Sequence, residues 1–231
     1  MRLRLVLVGV EGAVNLGFIA RLTWNFDVDE WYLVSPKASI EEAERYAAKA
    51  AEALKSAVIV DSLGEALKGV ELSACTSAII SEGNDVLRVP LTPAEFSELA
   101  VRRNGVVAVV MGRESTGLTR EEIKQCDLLV SIPASSRYRA LNLSNATAII
   151  LYELYKARAR EPSERIEADR RTLELILEYV KRLSELVISD RNRAEEAIIA
   201  FRRILARCGL SAEEARRMLF LLSRAYRRVS A

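Results

Sequence analysis

The 231-residue sequence contains no histidine. That absence excludes Ser-His-Asp and Cys-His nucleophilic catalysis, histidine-ligated metal sites and histidine pH switching together. Cysteine is scarce: Cys75, Cys126 and Cys208 lie far apart and no CxxC pair exists, so neither a zinc clip nor a redox dithiol is indicated. Isolated buried thiols in a reducing compartment are expected instead. No apolar run reaches membrane-spanning length. The opening MRLRLVLVGV is ended by Glu11 and lacks a small-residue cleavage site, so it reads as the first buried strand of a cytoplasmic protein. No G-x-G-x-x-G follows that strand and no Walker lysine motif occurs, which argues against ordinary dinucleotide and nucleoside-triphosphate sites. Glutamine occurs once, at Gln125, while Arg and Glu abound, a composition that leans toward a thermophile.

What is present is enough apolar material for a real core, 50% of the residues. Lys+Arg 34 against Asp+Glu 32 conceals an asymmetry. Residues 1–155 carry 16 basic and 20 acidic side chains, a net of −4, and residues 156–231 carry 18 and 12, a net of +6. The basic residues of the tail are almost all arginine, the better fork for phosphate. The split suggests a neutral-to-acidic body with a basic, anion-facing appendage, or else an ordinary solvated helical face.

Short apolar runs at 3–9, 31–36, 57–61, 71–78, 105–112 and 128–133 read as strands, and helical patterns alternate with them. Ser39 with Glu42 forms a capping box on a single helix over 39–54, Thr92-Pro93 opens another, and 141–159 is a long one. Near-continuous apolar strands alternating with helices predict an α/β fold around a parallel sheet covered on both faces. After Glu161-Pro162 the strands stop, and 167–189, 193–208 and 212–229 read as three amphipathic helices. The expected domains are 1–160 and a small all-helical one over 165–231.

Ligands of α/β sheets bind at the carboxyl ends of strands. Four such ends carry small or polar loops: EGAVNLGFIAR, TSA, GRESTGLT and IPASSRYRALNLS. GRESTGLT is not a nucleophile elbow, because Gly112 lies three residues before Ser115 rather than two, and no histidine could serve as its base. In order, these loops resemble the three motifs of the SPOUT methyltransferases, and among them the SpoU-type tRNA 2′-O-methyltransferases. The first motif is Asn15-Leu16-Gly17 with Arg21, the second Met111-Gly112-Arg113-Glu114 with Gly117-Leu118-Thr119, and the third Ile132-Pro133 followed by Leu141-Asn142-Leu143-Ser144. GRESTGLT, Tyr138 and the tail FRRILARCGLSAEEARRML are similar to the TrmJ-type branch, which methylates the 2′-hydroxyl of nucleotide 32 in the tRNA anticodon loop.

The resemblance implies a C-terminal trefoil knot in the sheet domain, S-adenosylmethionine bound in the knot loops, a homodimer, tRNA as partner and no metal. It places the cofactor against Thr76, Ser77, Ala78, Gly112, Ile132, Arg139, Ala140 and Leu141. It assigns Arg21 as the catalytic residue that orients the ribose hydroxyl or holds the adjacent phosphate. The bland alternative is a helix-surface arginine in a salt bridge. Asn15 and Asn142 are implied orienters, or else turn and helix-cap asparagines. For Glu114 the resemblance implies a structural role or a place at the dimer-facing rim of the site, with a plain helix-entry carboxylate as the alternative. Tyr138 and Trp24 stack on RNA or belong to the core. In the tail, Arg202, Arg203, Arg216 and Arg217 are the candidate RNA contacts, against the alternative that they pair with Glu195, Glu196, Glu213 and Glu214. Two positions depart from the pattern: Ala140 stands where many relatives have serine, which leaves only backbone contact, and Ile79 stands where TrmJ-type relatives often have a basic residue. Ribosomal RNA, another tRNA position, or a catalytically silent RNA-binding knot protein are the competing functions.

Overall fold

The computed structural model describes residues 1–78, 90–159 and 168–230, and position 79 therefore lies outside the described residues. These fall into two compact units, 1–78 with 90–159, and 168–230.

Among the described residues the first unit runs β1 (Arg2–Val8), α1 (Ala13–Asn25), β2 (Glu30–Val34), α2 (Ile40–Ala47), α3 (Ala51–Lys55), β3 (Val58–Val60), α4 (Leu63–Ala66) and β4 (Val70–Thr76). It continues through α5 (Pro93–Ala100), β5 (Val106–Met111), α6 (Arg120–Gln125), β6 (Leu128–Val130) and α7 (Leu143–Arg158). The strands form one six-stranded sheet, ordered β3-β2-β1-β5-β4-β6, with every pairing parallel. The most hydrophobic runs, β1 and β5, lie side by side at its centre, with Leu5 opposite Val109 and Leu7 opposite Met111. Strand alternation sends Val6 and Val8 to one face, where they pack with Leu63 and Ala66 of α4 and Ile123 of α6. It sends Leu3, Leu5 and Leu7, all fully buried, to the other. Burial on both faces is what an all-parallel sheet requires.

The helix expected over 39–54 is broken. Half of the expected capping box forms, Ser39 accepting from the Glu42 N–H at 3.2 Å, and Ala48 turns to φ 52° so that a 3₁₀ turn over Ala48–Ala50 leads into α3. A straight rod of that length would run past α1, whereas the kink keeps both pieces on it. Buried Ala43 and Ala47 belong to the first piece, and Ala53 and Leu54 to the second. Gly17 makes the close approach of α1 and α2 possible: a Cβ there would lie 2.5 Å from the Ala43 carbonyl oxygen and 2.6 Å from Tyr46 Cβ. This motif glycine is thus a packing residue. α1 starts at Ala13, one turn ahead of this glycine.

β6 is bracketed on both sides. The Ser77 N–H donates to the Val130 carbonyl at 3.1 Å, while the Leu91 N–H donates to the Leu129 carbonyl at 2.8 Å and the Ser131 N–H donates to the Leu91 carbonyl at 2.9 Å. The run into α7 therefore leaves the sheet between the end of β4 and residue 91.

The second unit holds α8 (Arg170–Val187), α9 (Arg191–Cys208) and α10 (Ala212–Val229). Asp169, Asp190 and Ser211 cap their N-termini, the last with a full capping box to Glu214. Ile176, Val180, Leu205 and Ala215 form its core. Residue 167, expected to open the first of these helices, lies outside the described residues. Cys75 and Cys126 are buried as expected; Cys208 is exposed, because it lies on the outward side of the last turn of α9. No helix among the described residues is long and apolar enough to cross a membrane.

Candidate functional site

A cleft of about 290 Å³ opens at the carboxyl ends of β4, β5 and β6, walled on its fourth side by the start of α7. Thr76, Ser77, Ala78, Gly112, Ile132, Arg139, Ala140 and Leu141 all line it. Three of the four loops, those after β4, β5 and β6, thus converge on the cleft, while EGAVNLGFIAR after β1 contributes no lining residue. Met111, Leu118, Ile123, Val130, Leu143 and Ile150 add apolar wall, and Glu114, Ser115 and Thr116 polar rim. An apolar cleft with a few convergent polar groups suits an organic ligand.

The loop after β5 is closed on itself. The Arg113 N–H donates to the Gly117 carbonyl at 3.3 Å, and the Gly117 N–H donates back to the Arg113 carbonyl at 2.9 Å. The Arg113 guanidinium then forks onto Glu122 of α6 at 3.0 and 2.9 Å. Its hydrogen bond holds the Glu122 carboxyl below the usual glutamate range and holds the Arg113 guanidinium above its own ordinary value. A carboxyl depressed by folding contributes fully above its unfolded value, about 4.3, and loses that contribution as pH falls through its lowered folded value. Hydrogen-exchange protection of the Arg113 and Gly117 amides is therefore expected to drop on acidification below about pH 4. In Glu122→Gln it should already be reduced at neutral pH and lack that acid step; an identical pH profile in the variant would refute the assignment.

Glu114 binds the first motif to the second. Its carboxylate accepts from the Glu11 N–H at 2.9 Å, the Gly12 N–H at 3.0 Å and the Asn15 amide at 2.9 Å. It therefore sits at the N-terminal end of α1, where Gly12 offers no side-chain cap and the helix dipole favours an anion. Asn15 Oδ1 accepts from Asn142 Nδ2 at 3.0 Å, and Asn142 Oδ1 accepts from the Ser144 N–H at 2.9 Å and the Ser144 hydroxyl at 2.7 Å. One chain of hydrogen bonds, Glu114–Asn15–Asn142–Ser144, runs across the three motifs. Asn142 is both the cap of α7 and a partner of Asn15, so the two readings of it are one geometry. Glu114 thus ties the first motif to the second, which is more than a rim or helix-entry position requires. Beside this chain, the Glu11 carboxyl is held below its usual range by its hydrogen bond from Ser115 and then by Lys37.

Arg21 does not line the cleft of its own chain. It is exposed on α1 and has no hydrogen-bond or ion-pair partner among the described residues, so the salt-bridge alternative is not what the structure shows. It shares the outward face of α1 with Val14 and Phe18, at helical spacing. Trp24 and Tyr138 are 53% and 79% exposed, and neither is a core residue. In the tail, Arg203 is 4% exposed, turned into the helical unit, and cannot present a fork to solvent. Arg202 is half-buried; Arg216 and Arg217 are exposed and share Glu213, at 3.4 and 3.0 Å.

Fold and cleft define an α/β protein that takes its ligand at the carboxyl ends of a parallel sheet. The family model described as SpoU rRNA Methylase family matches residues 2–152. A tRNA (cytidine-2′-O-)-methyltransferase TrmJ of Sulfolobus acidocaldarius is 37% identical over 232 residues, covering 100% of this chain and 96% of that relative. Its counterpart in Methanocaldococcus jannaschii is 35% identical over 220 residues, covering 91% and 94%. The solved structure of a probable methylase family protein from Haemophilus influenzae superimposes with a TM-score of 0.68 at 28% identity, over 99% of this chain and 97% of that one. The chain belongs to the SpoU methylase family.

Proposed function

We propose that this chain transfers a methyl group from S-adenosylmethionine to a ribose 2′-hydroxyl of tRNA, at nucleotide 32 of the anticodon loop with cytidine favoured, as a cytoplasmic homodimer. The observation that carries the reading is the convergence of all eight expected cofactor residues on one cleft. The chain Glu114–Asn15–Asn142–Ser144 lies across the motifs that build it. The full-length likeness to two TrmJ proteins supports tRNA over the ribosomal RNA in the family's description.

The residues fit the cofactor. Thr76, Ser77 and Ala78 are small enough to expose backbone donors and acceptors to an adenosine group, and Ile132, Leu141 and Ile150 give apolar wall. Ala140 offers backbone only, which is all a carbonyl or N–H contact needs. When bound, S-adenosylmethionine supplies an already activated methyl, so the chain has to place and polarise the attacking hydroxyl. A guanidinium stays charged at neutral pH and is a poor base. Arg21 thus serves by holding phosphate and stabilising negative charge developing on the ribose oxygen.

The homodimer rests on an apolar face that the first unit leaves uncovered: Val14, Phe18 and Trp24 on α1, with Ile149, Tyr152 and Tyr155 on neighbouring α7. Arg21 stands on this face, where a second copy and its RNA would meet it. The bracketing of β6 between Ser77 and Leu91 agrees with the trefoil knot. In the tail, Arg202, Arg216 and Arg217 remain RNA contacts, and buried Arg203 does not.

The test is to incubate the purified protein with unmodified tRNA transcripts and S-adenosylmethionine and to map methylated nucleosides by mass spectrometry. 2′-O-methylcytidine at position 32 is expected. Methylation confined to another position or to ribosomal RNA would overturn the substrate, and no transfer to any RNA would favour a silent binding protein.

A further inference from the structure

The charge of the tail is not spread evenly over its helices. On α8 three of the outward basic side chains are paired along the helix, Arg170 with Glu174 at 2.9 Å, Lys181 with Glu185 at 4.0 Å, and Arg182 with Glu178, and Arg171 in its first turn is exposed without a carboxylate partner among the described residues. α10 is different. Its inner side, Ala215, Met218, Leu219 and Leu222, packs into the core of the unit. Its outer side carries Arg216, Arg217, Arg224, Arg227 and Arg228, all exposed. Glu213 is shared by the first two, and Glu214 is taken by the capping box with Ser211. Among the described residues, Arg224, Arg227 and Arg228 pair with no carboxylate. In the middle of this face Phe220 is 63% exposed, with the Arg224 guanidinium 5.3 Å from its ring centroid.

A large aromatic ring left in water inside an unneutralised arginine field lacks a structural reason, since the apolar side of the helix is already packed. A second copy of the chain is a poor occupant, because two such faces would set arginine against arginine. RNA satisfies both features: phosphates take the forks and an unstacked base takes the ring, with the neighbouring guanidinium adding cation–π attraction. Resting on the tRNA reading above, we propose that the outer face of α10 is the tail's RNA-binding surface, with Arg224, Arg227 and Arg228 on the phosphate backbone and Phe220 stacking on an unpaired base.

The two kinds of contact separate experimentally. Each arginine–phosphate contact releases counterions and steepens the fall of affinity with salt, whereas stacking does not. Binding of an unmodified tRNA transcript to the full chain is measured over a salt series. The triple variant Arg224→Gln, Arg227→Gln, Arg228→Gln should raise Kd at least about tenfold at low salt and lower the log–log salt slope by about two. Phe220→Ala should raise Kd about tenfold with the slope unchanged, and Phe220→Trp should restore it. Lys181→Gln on α8, where the charge is already paired, should change neither. Since these side chains point outward, helicity should be retained; should the triple variant not fold, a photo-crosslinking phenylalanine analogue at position 220 in the otherwise unaltered chain must still join to tRNA. Unchanged Kd and slope in the variants, loss of self-association in place of RNA binding, or no crosslink would overturn the α10 surface alone. An unaltered chain that binds no tRNA would overturn the functional reading itself.

Discussion

Arg21→Ala is expected to cut methyl transfer by about two orders of magnitude or more while leaving affinity for S-adenosylhomocysteine nearly unchanged. The separation follows from position. Arg21 lies outside the cleft of its own chain, so its loss removes nothing from the cofactor's surroundings. It is exposed and unpaired among the described residues, so its loss leaves no buried carboxylate behind and costs little stability. What is lost is a charged, planar donor available to phosphate and to the ribose oxygen as charge develops there, an interaction of the kind that is strongest in the transition state. Arg21→Lys keeps the charge but not the fork, and should recover only part of the rate. Single-turnover transfer from labelled S-adenosylmethionine, with calorimetric titration of S-adenosylhomocysteine alongside, decides the matter. Turnover near that of the unaltered protein in Arg21→Ala would remove Arg21 from the mechanism.

Much of this molecule is legible in its sequence for a physical reason: a parallel sheet buried on both faces writes its strands as unbroken apolar runs. All six runs became strands of one sheet, and the loops after β4, β5 and β6 met in one cleft. Periodicity was a weaker guide where small residues dominate. The alanine-rich stretch around Ala48 has a single helical pattern but no bulky side chain to hold one straight axis, and packing on α1 bent it. Long-range partners were hidden as well. Nothing in the neighbours of Glu114 shows that its carboxylate will receive donors from Glu11, Gly12 and Asn15, about a hundred residues away in sequence. For the tail arginines, sequence gives charge but not facing: Arg202 and Arg203 are adjacent, yet successive helical positions point about 100° apart, and that turn buries Arg203. Arg224, Arg227 and Arg228 have the same composition and the opposite exposure.

Gly112→Val should abolish cofactor binding, because the loop that carries Gly112 has no room for a side chain. A Cβ on Gly112 would lie 2.5 Å from the Leu118 backbone nitrogen and 2.9 Å from Gly117 Cα, within its own loop. These are backbone atoms, which cannot swing aside as a flexible side chain would, so the loop itself has to open. Opening it separates Arg113 from Gly117, whose two backbone hydrogen bonds close the turn. It also pulls on the Arg113 fork to Glu122 and on Glu114, which anchors the start of α1. Ser115, Thr116, Gly117 and Leu118 all line the cleft, so one added side chain displaces a whole wall of it. Gly112→Ala meets the same clash with its Cβ and should already weaken S-adenosylhomocysteine binding by at least about tenfold, on the scale of the 1–3 kcal/mol cost of overpacking a tight site. Valine, with two further methyl groups, should leave no measurable binding. Titration calorimetry of both variants, beside a thermal melt that reports the rest of the sheet, tests this. Near-normal affinity in Gly112→Ala would mean that the loop yields without cost, and that the glycine is there for the ligand rather than for the turn.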